Sequence, residues 1–89
     1  DIVLYDDDFE VRRVAAMSLG EVGAYTSFSV REAVFELTTN IAHQIQRLKI
    51  SLQKKQINNF HIRCRLNDNK AILKILYHYI RIYKYGFVD

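Results

Sequence analysis

Apolar positions recur along this chain at spacings that predict most of its elements. Behind Ser29, the residues Val30, Val34, Leu37, Ile41, Ile45, Leu48 and Leu52 return at steps of three and four, which marks one face of a long helix. Ser29 and Glu32 form a capping box at its start, and Lys54, Lys55, Asn58 and Asn59 are expected to end it. From Phe9, the positions Val11, Val14, Ala15, Leu19 and Val22 predict a second amphipathic helix. Asp8 suits its N-cap, the neighbouring acids suit the positive end of its dipole, and Gly23 closes it. Ile2 to Tyr5 is apolar on both faces and reads as a buried strand of a parallel sheet, with a helix end as the competing reading. Ala24 to Phe28 reads as a second strand. Phe60 to Leu66 alternates strictly, which predicts a half-buried strand, and Asn67-Asp68-Asn69 a turn. Residues 71–85 fit either a helix capped by Gly86 or a strand from Tyr77 to Tyr85. The regular spacing of Lys70, Lys74, His78 and Arg81 favours helix.

Composition narrows the class. Eighty-nine residues predict one small domain, and an apolar share of 49% predicts that it folds. No apolar run approaches the roughly 18–20 residues of a membrane helix, so no membrane partner is expected. The acidic start does not look like a secretory signal. Because the chain opens on Asp1 rather than Met, the numbering is expected to begin inside a longer product. The single cysteine, Cys64, fits a reducing compartment, which makes the cytoplasm the expected location. Charge is unevenly spread. Residues 1–40 carry eight acids against three arginines, whereas residues 41–89 carry ten Lys and Arg against Asp68 and Asp89.

Candidate chemistry is sparse. Asp6, Asp7 and Asp8 could hold a metal or simply crowd a helix N-terminus. His43, His61 and His78 have no ligand spacing, and Cys64 is expected to be a small buried hydrophobe. No Ser-His-Asp order or phosphate loop is present, so no enzyme is expected. Arg63, Arg65, Lys70, Lys74, His78, Arg81 and Lys84, interleaved with tyrosines, could neutralise phosphates and stack on bases. The plainer reading of the same residues is a solvated face over core tyrosines.

Two resemblances compete for the first forty residues. Strand, acidic cluster, helix, glycine, strand, helix is the opening of a doubly wound α/β domain. IVLYDDDFEVRRVAAMSLGEVGAYTSFSVREAV resembles the start of the receiver domain of two-component response regulators. That resemblance implies a flavodoxin-like parallel sheet, degenerate or truncated here, acting as a receiver or pseudo-receiver switch in signal transduction. It implies Mg²⁺ held by Asp6 and Asp7, and a histidine kinase or an output domain as partner. In the window of the family's phosphoacceptor, residues 44–59 read QIQRLKISLQKKQINN, without an aspartate. Asp68 is then the candidate acceptor. DDDFEVRRVAAMSLGEVG is also similar to the second helix of a HEAT repeat of the type found in phycobilin lyases. Val30-Arg31-Glu32-Ala33, with Leu37 and Ile41, repeats the pattern 19 residues on. This second resemblance implies an all-α scaffold that binds protein.

Overall fold

The computed structural model describes residues 1–25, 28–54 and 59–85. They form four helices: α1 (Ile2–Tyr5), α2 (Phe9–Tyr25), α3 (Phe28–Gln53) and α4 (Asn59–Tyr85). Among the described residues only Asp1, Asp6 to Asp8 and Lys54 lie outside a helix, and none lies in a strand. The α/β expectation, with its doubly wound parallel sheet, is overturned, and the all-α alternative fits. No described helix is long and apolar enough to cross a membrane.

Each misread strand has a local cause. Ile2 to Tyr5 is a single helical turn capped by Asp1, whose side chain accepts from the Val3 amide at 2.9 Å. The Tyr5 and Asp6 amides donate to the carbonyls of Asp1 and Ile2 at 3.1 and 3.2 Å, so the turn satisfies its backbone without a sheet. Ala24 and Tyr25 end α2 and Phe28 opens α3, while residues 26–27 of the expected second strand lie outside the described residues. Phe60 to Leu66, together with the expected turn at Asn67 to Asn69, runs inside α4. Residues 71–85 are helical, as the basic stripe suggested. Gly86, Lys55 and Asn58 lie outside the described residues. Ser29 sits within α3 rather than before it, and α3 ends at Gln53.

The long apolar period of α3 builds the core as expected. Val34, Leu37, Ile41 and Ile45 are buried, and Leu48 and Leu52 pack against them. Thr38 shares this face and satisfies its hydroxyl by donating to the Val34 carbonyl at 2.8 Å. From α4, Leu66, Ile72 and Leu76 meet them, and Ala16 and α1's Val3 and Leu4 complete the cluster. A fully buried side chain of this size contributes about 1.5–3 kcal/mol, so the α3–α4 seam is the main source of stability.

α2 is rotated part-way from the expected face, of which Ala15 and Leu19 still pack against the core. Val11, Val14 and Val22 are 42%, 51% and 49% exposed, and the buried positions are Arg12, Ala16, Gly20 and Gly23. These recur at steps of four, four and three, so the helical period holds but its face is made of small residues and one arginine. Small residues let α2 approach α4 closely. Tyr83 reaches across to donate to the Gly20 carbonyl at 2.7 Å, and a Cβ placed at Gly20 would meet the Tyr79 ring. Arg12 pairs with Asn69, Gly20 lies on Tyr79 and Gly23 on Tyr83, so α2 and α4 run parallel. Phe35 meets Tyr83 edge-on at 6.3 Å and Gln44 meets Asn69, so α3 runs antiparallel to both. The result is a bundle of 44 × 25 × 21 Å, with α1 laid across one end.

Candidate functional site

α1 is held by donors from all three long helices. Arg12 of α2 is 1% exposed; its Nε donates to the Val3 carbonyl at 2.8 Å and its Nη2 to Asn69 Oδ1 on α4. Asn69 is fully buried, and its Nδ2 donates to Gln44 Oε1 of α3 at 3.2 Å. Gln44 Nε2 and Arg65 Nη2 both donate to the Leu4 carbonyl, at 3.5 and 3.2 Å. The carbonyl end of a helix is its negative pole, and here it is covered by two guanidiniums and an amide. Burial lowers the pKa of Arg12, and the nearby charge of Arg65 lowers it further, while Asp68 and Asp6 act the other way.

Of the expected metal-side acids, Asp6 has a backbone role and Asp7 lies in the open. Asp6 is the C-cap residue of α1, and its Oδ1 accepts from the Asp8 amide at 2.8 Å. Asp8 Oδ1 accepts from the Glu10 amide at 2.9 Å, the N-cap contact expected of it at the start of α2. Asp7 is exposed. Glu10 forms a two-pronged pair with Arg13, 2.9 Å at the shorter contact, and that hydrogen bond lowers its pKa. Asp68, the candidate phosphoacceptor, lies half-buried within α4 and not at a strand end. Among the described residues no group of three or more His, Cys, Asp or Glu is arranged to hold a metal ion. His43, His61 and His78 are exposed, and so is Cys64, against the expectation that its side chain would be buried.

The basic residues divide in two. Arg63, Lys70, Lys74, Arg81 and Lys84 are all exposed on α4, at steps of seven, four, seven and three, which is one stripe of a helix. Asn67, His78, Tyr77 and Tyr85 are exposed on the same side. Leu66, Asn69, Ile72, Leu76 and Tyr79 take the opposite face. The stripe contains no carboxylate, and its five cations make no ion pair with a described residue. From Arg63 to Lys84 it runs about 31 Å at 1.5 Å per residue. Arg65 does not belong to it, because it turns inward to α1.

At the far end of the bundle Arg31 donates from Nε to the Gly23 carbonyl at 2.9 Å and lies 5.2 Å from the centre of the Tyr83 ring. Burial raises the pKa of Tyr83, and Arg31 partly opposes that. Burial also raises Tyr79, helped by Glu21. A raised folded-state pKa means that folding favours the protonated phenol. The stability involved is complete below the ordinary tyrosine pKa of about 10 and is lost as pH climbs through the raised values. Alkaline titration followed by tyrosinate absorbance is expected to show two of the six tyrosines ionising late, together with loss of helix. Tyr83→Phe should remove one of the late groups; six indistinguishable tyrosines would contradict this packing.

Reading the sequence missed Arg12, Gln44 and Asn69. The available signal was register: Arg12 lies four residues before Ala16 and eight before Gly20, and Asn69 lies three residues from both Leu66 and Ile72. Compared with family models, with curated proteins and with solved structures, the chain matches none.

Proposed function

We propose that this domain is a non-catalytic helical module that binds nucleic acid along the outer face of α4. The supporting observation is the stripe of Arg63, Lys70, Lys74, Arg81 and Lys84, exposed, unpaired with any described residue and free of acids. An unneutralised row of this length matches a phosphate backbone, and the exposed Tyr77 and Tyr85 offer rings to sugar or base. The stripe is made of cations suited to phosphate oxygens, so it supports backbone contact without sequence preference. The receiver reading loses its parallel-sheet edge with the change of fold.

Fluorescence anisotropy with a labelled duplex and a labelled single strand of mixed sequence tests this. Five phosphate contacts predict a fall in affinity of about 10²- to 10³-fold between 50 and 200 mM salt. The variant Lys70→Glu/Lys74→Glu/Arg81→Glu should abolish binding without lowering the melting temperature. Binding of polyglutamate in preference to both nucleic acids would transfer the stripe to an acidic protein partner.

A second reading, a scaffold that binds protein, is favoured by α2. Val11, Val14, Met17, Val22 and Tyr25 are exposed along one side of that helix. A protein contact through these residues would survive charge reversal on α4.

A further inference from the structure

A second basic feature lies apart from the α4 stripe, where α1, α3 and α4 meet. Tyr5, Gln44, Arg47, Leu48 and Arg65 line an open depression of about 310 Å³. The lining is mostly apolar, Leu48 included, and its polar groups come from Tyr5, Gln44, Arg47 and Arg65. Arg65 spends one N–H on the Leu4 carbonyl and keeps the rest of a five-donor guanidinium. Arg47 makes no ion pair with a described residue. Gln44 is committed on both sides, donating to Leu4 and accepting from Asn69, so it is held still as part of the wall. Among the described residues no carboxylate lines the depression.

We propose that this depression is a site for a small oxyanion, gripped between the guanidiniums of Arg47 and Arg65 and the hydroxyl of Tyr5. Two arginines at the edge of one hollow can bring planar forks to the paired oxygens of a phosphate or a carboxylate, which a lysine pair would match less well. Electrostatics favour the same occupant. Arg65 stands near enough to buried Arg12 to disfavour its charge, and the opposing carboxylates, Asp6 and Asp68, are both outside the lining. An anion beside Arg65 offsets that repulsion. The volume exceeds a bare phosphate, leaving room for the group that carries it. This site is independent of nucleic-acid binding on α4, since it shares no residue with the stripe.

The test is NMR titration of the arginine Nε–H resonances, at constant ionic strength, with inorganic phosphate in one arm and acetate in the other. Saturable shifts of Arg47 and Arg65 in the millimolar range are expected. Arg47→Ala, which leaves the Arg12–Asn69–Gln44 network untouched, should weaken binding by at least about tenfold with the fold intact. Arg65→Lys, which keeps the charge and loses the fork, should weaken it too. Saturation by phosphate alone assigns the site to phosphoryl groups, and equal saturation by acetate assigns it to carboxylates. The charge-reversed α4 variant should bind phosphate as well as the parent does. Shifts that fail to saturate, that persist in Arg47→Ala, or that vanish with the α4 variant overturn the proposal.

Discussion

Arg12→Met is expected to lower the unfolding free energy by about 2–5 kcal/mol, read as a lower urea midpoint at unchanged slope. Methionine fills part of the volume, so the loss comes mainly from the groups left behind. The Val3 carbonyl and Asn69 Oδ1 both lose their donor, and a buried acceptor left unpaired costs about 1–3 kcal/mol. Removing both polar partners costs less than the sum of the separate losses, so Arg12→Met/Asn69→Leu should be less destabilised than the two single variants added together. The coupling in that double-mutant cycle isolates the contact. A midpoint unmoved in Arg12→Met would mean that the network adds nothing to stability.

Gly20→Ala carries the second large effect, and two opposing magnitudes decide its sign. In an exposed helix the change gains about 1 kcal/mol from propensity. Here the new Cβ would fall on Cγ and Cδ2 of Tyr79, atoms at the root of a ring that is itself 8% exposed and has little room to turn. α2 and α4 would have to part, and overpacking of this kind costs about 1–3 kcal/mol. A net loss is therefore expected, visible as a lower thermal midpoint. Gly23→Ala should be milder, because its Cβ meets the far end of Tyr83, a side chain nearer solvent. Shortening the obstacle in Gly20→Ala/Tyr79→Leu should recover part of the loss. Equal effects at the two glycines would contradict the packing.

These residues also explain what the sequence revealed and what it hid. α3 was legible because its apolar positions from Val34 to Leu52 keep an unbroken period, with Thr38 the one polar side chain buried among them. The stripe on α4 was legible because charges mark the outside of a helix as clearly as aliphatics mark the inside. α2 was recognised as a helix, and Ala15 and Leu19 of its expected face do pack against the core, but its valines point outward and its buried positions are Arg12, Ala16, Gly20 and Gly23. Hydrophobicity cannot locate a face whose contribution is closeness. The first turns of α4 were lost for a related reason. Ile62, Leu66, Asn69, Ile72, Leu76, Tyr79 and Tyr83 follow one inner seam. The asparagine at its third place reads as a turn unless its partners on α2 and α3 are known. Of the candidate sites, the α4 cations stood out in sequence, whereas the depression beside Arg65 depends on residues from three helices.

The network around α1 fixes an order of events during synthesis. α1 is made before α2, α3 and α4, yet one turn has no stability of its own in water. Its nearest donor, Arg12, lies nine residues from Val3, but Gln44 and Arg65 stand 40 and 61 residues beyond Leu4, and Arg12 itself waits 57 residues for Asn69. On the ribosome this turn emerges before the helices that hold it, and it closes over the bundle only when α4 has arrived.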